Sequence, residues 1–139
     1  MSDTYLAGLD ALPLIAILRG VRPAEVVDIG EALVASGFVC IEVPLNSPNP
    51  FESIARLSDA VGDRAIVGAG TVLTPDDVRR VAEAGGQIVI SPNTDAGVIR
   101  ATRDAGLLSF PGVFTPSEAF AALAAGAHAL KLFPAEIAG

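Results

Sequence analysis

The stretch TPSEAFAALAAGAHALKLF, Thr115–Phe133, contains a helix start, a helix stop and a strand in succession. Thr115 offers a hydroxyl N-cap, Pro116 takes the first helical position and Glu118 the third. Proline is tolerated there because its missing N–H would have had no helical partner. The acid reaches back to the cap and favours the positive helix end. Gly126 can adopt the left-handed conformation that closes a helix. The run that follows, His128–Phe133, is apolar nearly throughout rather than alternating. A strand reads that way when both faces of a parallel sheet are covered.

Outward from this stretch the same unit recurs. Thr74-Pro75-Asp76-Asp77 repeats the helix start, and Arg22-Pro23-Ala24-Glu25 keeps the proline and the acid. Gly37, Gly62, Gly85 and Gly106 mark further helix ends. The strand-like runs are Leu14–Leu18, Phe38–Val43, Ala65–Ala69, Gln87–Ser91, Leu107–Phe110 and His128–Phe133, with starts 24, 27, 22, 20 and 21 residues apart. Strict alternation of strand and helix implies a parallel sheet with right-handed crossovers. A doubly wound open sheet and a (β/α)8 barrel both satisfy it, and the near-constant repeat favours the barrel.

The expected fold class is therefore α/β, a (β/α)8 TIM barrel, with residues 1–139 read as one domain supplying about its first six strands. Such barrels need roughly 200 residues or more, so about two further βα units, ~45–65 residues, are expected beyond Gly139. A six-strand arc alone is expected to leave its edges unpaired, to associate aberrantly and to lack useful activity.

The 139 residues carry 16 acidic and 9 basic side chains, a formal charge of −7, which argues against a nucleic-acid binder working by phosphate neutralisation. An apolar fraction of 51% supports a sizeable core. One Cys excludes an internal disulfide and one His leaves no zinc-type cluster, so neither metal nor cofactor is expected. No run approaches ~18 apolar residues, and Met1–Asp10 lacks the pattern of a signal peptide, so no membrane span is expected and the cytoplasm is the default location.

Eight of the nine basic residues are Arg; Lys131 is the single Lys, and it lies inside an apolar strand. The bland alternative is a stem snorkelling to water. The sharper reading is a buried ammonium whose desolvation makes a neutral, nucleophilic amine available. Glu42, within Val39-Cys40-Ile41-Glu42-Val43, requires a partner or a proton in such a strand and could shuttle protons opposite an amine. Arg19, before Gly20, has the fork that binds carboxylate or phosphate at two points. Gly68-Ala69-Gly70-Thr71 allows close backbone approach and supplies a hydroxyl. Cys40 reads as core, His128 as structural or exposed, and Ser91-Pro92-Asn93 as ordinary loop chemistry.

Four segments, PLIAILRG from Pro13, IEVPLNSP from Ile41, VGAGTVL from Val67 and ALKLFPA from Ala129, together resemble the class I aldolases of 2-keto-3-deoxy-6-phospho sugar acids. The resemblance implies a homotrimer of (β/α)8 barrels acting without metal on a small phosphorylated keto-deoxy sugar acid. It also implies Lys131 as the Schiff-base lysine, Glu42 as the acid/base, and Arg19 and Thr71 as substrate-binding residues. The phosphogluconate branch typically has Arg four residues after the catalytic Glu. That position is Asn46 here, which resembles the phosphogalactonate branch and makes Asn46 a substrate-binding candidate. The expected reaction is cleavage of 2-dehydro-3-deoxy-6-phosphogalactonate to pyruvate and glyceraldehyde 3-phosphate. The alternatives are a 2-dehydro-3-deoxy-6-phosphogluconate or 4-hydroxy-2-oxoglutarate aldolase, a phosphosugar isomerase and a non-catalytic barrel. The family's phosphate site comes largely from the last two strands.

Overall fold

The computed structural model describes residues 2–139, with side-chain surroundings described from Ala7 onward. Helices and strands alternate along the chain. A first helix α1, Ser2–Ala11, leads into β1, Ala16–Ile17. Then come α2, Val26–Ala35; β2, Cys40–Pro44; α3, Pro50–Val61; and β3, Ile66–Gly70. They are followed by α4, Pro75–Glu83; β4, Ile88–Ile90; α5, Ala96–Asp104; and β5, Leu108–Phe110. The chain continues through β6, Gly112–Val113; α6, Pro116–Ala125; β7, Lys131–Leu132; and a short 3-10 turn, Ala135–Ile137.

The sheet order is β1-β2-β3-β4-β5, every pair parallel, and β6 pairs in parallel with β7. The predicted fifth strand, Leu107–Phe110, is found as β5, and the short strand β6 follows it beyond Pro111, which has no N–H to offer a ladder. Its carbonyl still accepts from Lys131 N at 2.9 Å, and Ser109 O accepts from His128 N at 2.9 Å. The chain before β7 therefore lies alongside β5, and the arc spans the six predicted strand positions.

Alternation along the strands separates two cores. Ile41, Val43, Val67, Ala69 and Val89 face the helices and cluster with Val26, Ile54, Leu57, Val78 and Val98. Cys40, Ile66, Ile88 and Ile90 face the opposite way, with Leu108 and Phe110 against them. Both faces being covered explains why these strands read as apolar runs.

The structure corrects several local expectations. Helix α1 lies ahead of the strand–helix repeat read from the sequence and has Gly8 inside it. Its Leu9 packs on the inward-facing cluster, so tertiary contact holds a segment that propensity does not mark. The helix expected at Pro23 begins at Val26, because Glu25 turns back to accept from Arg22 N and to pair with its guanidinium. Gly62 sits in the right-handed region at φ −64, so it does not close its helix in the left-handed way, whereas Gly126 does, at φ +108. The capping signatures hold elsewhere: Thr74 accepts from Asp77 N, and Thr115 with Glu118 forms a reciprocal capping box.

The last strand is shorter than His128–Phe133. His128 N and Ala129 N both reach Ser109 O, which bends the chain until Lys131. His128 has a structural role at this seam. Its Nδ1 accepts from Ser109 N at 3.0 Å, and the Arg103 guanidinium lies against Nε2. Desolvation, and then the Arg103 charge, hold its pKa below the ordinary value of 6.5. The folded state therefore favours the neutral ring; that contribution is present above pH 6.5 and is lost as pH falls through the lowered value. Between pH 7 and pH 5 the urea midpoint of the protein should drop more than that of His128→Gln. Parallel curves would show that the seam does not sense the ring's charge.

Candidate active site

In parallel α/β folds the loops at the carboxyl ends of the strands build the site. Glu42 stands in the middle of β2, with β1 on one side and β3 on the other, and is 2% exposed. Its Oε2 has no hydrogen-bond partner among the described residues. Burial pushes its pKa from 4.5 up to about 7, against the opposing pull of Lys131 and Arg19. Cys40, two residues earlier on the same face, is fully buried, and burial together with Glu42 pushes its thiol up to about 12. Such a thiol is inert core material.

Lys131 and Glu42 line one cavity of about 330 Å³, walled by Ile17, Ile90, Phe110 and Ala129 among others. Two residues 89 positions apart are thus brought to a common, mostly apolar hollow. Lys131 Nζ lies 4.7 Å from the centre of the Phe133 ring, consistent with a shared face for the two side chains. The expected full burial of Lys131 is not found: the residue is half-buried. The reason is local, since β7 pairs only with β6 among the described strands.

Arg19 and Asn46 meet at the rim. Arg19 Nη1 donates to Asn46 Oδ1 at 3.0 Å, joining the loop after β1 to the loop after β2. The next residues repeat the link, with Gly20 N donating to Ser47 Oγ at 3.0 Å. Ser47 is buried, while Arg19 and Asn46 are exposed and open to a ligand. Thr71 follows β3 at φ +56, a left-handed conformation that costs a β-branched residue about 1–3 kcal/mol and persists only where its surroundings enforce it. Part of that enforcement comes from buried Ser91, whose Oγ donates to Val72 O at 2.7 Å. Thr71 and Asn46 also line a neighbouring depression of about 650 Å³ with Leu73 and Arg80, whose guanidinium stacks on Phe51.

The structure accordingly brings Glu42 with Lys131 into one cavity, Arg19 with Asn46 into one bond, and Asn46 with Thr71 into one depression. Reading the sequence missed Ser47 and passed over Ser91 as loop chemistry; a lone Ser at a strand end gives no signal of which carbonyl or N–H it will meet. Among the described residues, no group of three or more His, Cys, Asp or Glu is placed to hold a metal ion. No helix among them is long and apolar enough to cross a membrane.

The strands form a parallel arc whose inner face places a carboxyl and an amine at one cavity. Residues 7–139 match the family described as KDPG and KHG aldolase, and the chain belongs to that family. It is 50% identical over 127 residues to a Rhizobium meliloti protein named "Probable 2-dehydro-3-deoxy-6-phosphogalactonate aldolase", covering 91% of this chain and 60% of the relative. It is 48% identical over 128 residues to the Escherichia coli 2-dehydro-3-deoxy-6-phosphogalactonate aldolase, covering 92% of this chain and 62% of the relative. Among solved structures, the KDPG aldolase of Legionella pneumophila, with pyruvate captured as a covalent carbinolamine, superposes with a TM-score of 0.86 at 31% identity, covering 97% of this chain and 65% of that one. The chain spans about three fifths of the length of the curated relatives it matches. The fold is the first six strand positions of the family's (β/α)8 barrel.

The raised pKa of Glu42 has a consequence for stability. A folded-state value above the unfolded one means that the neutral carboxyl favours the fold below pH 4.5, and that this contribution is lost as pH rises through about 7. Glu42→Gln cannot ionise. The unfolding midpoint in urea, measured from pH 5 to pH 8, should therefore fall with pH in the native protein relative to Glu42→Gln. Identical pH dependence in both would show that Glu42 is not held neutral by burial.

Proposed function

We propose that the protein is a class I, metal-independent aldolase that cleaves 2-dehydro-3-deoxy-6-phosphogalactonate to pyruvate and glyceraldehyde 3-phosphate. The observation that carries this reading is the cavity shared by Glu42 and Lys131. The Lys131 amine adds to the C2 ketone to give a carbinolamine, and loss of water gives an iminium. The C3–C4 bond then breaks with its electron pair passing into the iminium, while the proton of the C4 hydroxyl leaves. The aldehyde departs, the enamine takes a proton at C3, and hydrolysis releases pyruvate and the free lysine. Glu42, working through a water, receives and returns the protons of these steps. A carboxyl whose pKa lies near 7 is suited to both directions of transfer.

Arg19 is proposed to grip an anionic group of the substrate through its fork, and Thr71 to hold it with a hydroxyl. Asn46 is proposed to contact the substrate near the reacting carbons. Its carbonyl is engaged by Arg19, which leaves its amide hydrogens to donate. Support for the galactonate configuration comes from the relatives named as phosphogalactonate aldolases, at 48–50% identity, against 31% for the phosphogluconate-type structure. The proposal extends to a role in galactonate degradation, a homotrimeric assembly and a cytoplasmic location.

Incubation with pyruvate and borohydride should attach one reduced pyruvyl group at Lys131, read by peptide mass mapping. Glu42→Gln should lose ~10²–10⁴ of turnover while trapping at Lys131 survives at least in part. A catalytically active protein that gives no adduct, or one at the N-terminal amine alone, would defeat the imine mechanism.

Pyruvate release from the two C4 epimers separates the branches. The galactonate substrate should be cleaved with the higher kcat/KM. A preference for the gluconate epimer would move the assignment to the other branch and leave the aldolase reading intact.

A further inference from the structure

We propose that Gly70 is a positioning residue for Glu42: the absence of a side chain at position 70 makes the space that the Glu42 carboxyl occupies. The inference rests on the reading of Glu42 as the proton-transfer group, and it concerns how that group is held.

The register places Glu42 beside Gly68 and Pro44 beside Gly70. Side chains two apart on a strand share a face, so the carboxyl of Glu42 extends over β3 between two positions that lack Cβ atoms. A Cβ added at Gly70 would stand 1.8 Å from Glu42 Oε2, 2.4 Å from Cδ and 2.5 Å from Oε1. Rotating the carboxyl about its own axis leaves the 2.4 Å contact to Cδ in place, since Cδ lies on that axis. The whole head group would have to leave. Backbone conformation does not demand glycine here, because Gly70 is absent from the positive-φ residues of the chain. Space is the remaining reason.

Gly68 offers the contrast. A Cβ there would meet Ile88 O at 2.0 Å and Ile88 C at 2.8 Å, which are backbone atoms of the neighbouring strand and cannot step aside. Its glycine therefore serves the fold. The atoms facing Gly70 are the far end of a flexible side chain, and the cavity of about 330 Å³ beside Glu42 gives that end somewhere to go. A methyl at position 70 should thus displace the carboxyl without breaking the sheet. Displacement would take the acid out of its dry niche toward Lys131 and the open cavity.

The test compares Gly70→Ala, Glu42→Gln, Glu42→Asp and the double variant Gly70→Ala/Glu42→Asp in the protein. The Glu42 carboxyl is followed by carbon NMR across pH, with its signal assigned by its loss in Glu42→Gln. Gly70→Ala should shift the titration midpoint from near 7 down toward the ordinary 4.5. It should also lower turnover by about 10²-fold, the scale of an ångström-sized misplacement, while pyruvate trapping at Lys131 persists. In the Asp background, where the acid is one methylene shorter, the same substitution should cost less than tenfold.

A Gly70→Ala protein that titrates near 7 with native turnover overturns the inference, as does an equal loss in the Glu and Asp backgrounds. Should Gly70→Ala fail to fold, Gly70→Ala/Glu42→Ala decides: recovery of folding supports the contact with Glu42, and continued failure overturns it. If Glu42→Gln itself keeps native turnover, the proton-transfer reading fails, and the NMR titration still judges whether Gly70 positions the carboxyl.

Discussion

A buried carboxyl with an oxygen unpartnered among the described residues is the constraint around which this molecule is arranged. Leaving such a polar atom without a partner costs about 1–3 kcal/mol. The fold accepts that cost at Glu42, in the middle of β2, where both neighbouring strands are present and the residue is 2% exposed. The charged form is disfavoured strongly enough to bring the pKa to about 7, yet Lys131 and Arg19 stand close enough to pull the other way. A carboxyl balanced between burial and two cations changes charge readily near neutral pH. An ordinary salt bridge at this position would have pinned it as an anion.

The sheet supplies that balance because its two faces do different work. The outward face is a continuous aliphatic layer against the helices, with Ile41, Val67, Ile54 and Leu57 fully buried, and it carries the cohesion of the fold. The inward face is thinner and less complete. Its buried apolar cluster is Cys40, Ile66, Ile88 and Ile90, with Leu9, Ile15, Leu108 and Phe110 partly buried against it, and beside these lie the cavity and the two ionisable groups. Stability built on one side leaves the other free to hold groups that weaken packing. Gly70 belongs to the second role, whereas Gly68, pressed against the Ile88 backbone, serves the close approach of β3 and β4.

Much of this was readable from the residues alone, for identifiable reasons. Strand positions followed from apolar runs, and helix starts at Thr74 and Thr115 from a cap, a proline and an acid at fixed offsets, because those signals are local. The errors lie where a distant partner decides. Helix α1 is held by contact with the inner cluster, and the short strand β6 forms only against β7, while the late start of α2 is a local exception set by Glu25 pairing with Arg22 three residues before it. At the site, Lys131 and Glu42 stood out by being the wrong chemistry for their strands. Ser47 and Ser91 did not, since a serine acquires a role only from the atom it meets.

Those two serines, with the Arg19–Asn46 bond, explain how a site on loops can be firm. The loop after β1 is tied to the loop after β2 at consecutive residues, Arg19 to Asn46 and Gly20 to Ser47. The loop after β3 is tied to the end of β4 through Ser91, and the bond falls one residue beyond the strained Thr71. The neutral bonds among these contribute only about 0.5–1.5 kcal/mol each to stability, and the Arg19–Asn46 bond, with its charged donor, is exposed at the rim. Their larger effect is on geometry, because each loop is fixed to a neighbouring strand end as well as to its own. Arg19 and Asn46 at the exposed rim thereby share a rigid base with Glu42 in the buried interior. On the proposed function, Asn46, whose carbonyl is held by Arg19, meets a substrate from a position that Arg19 helps to fix.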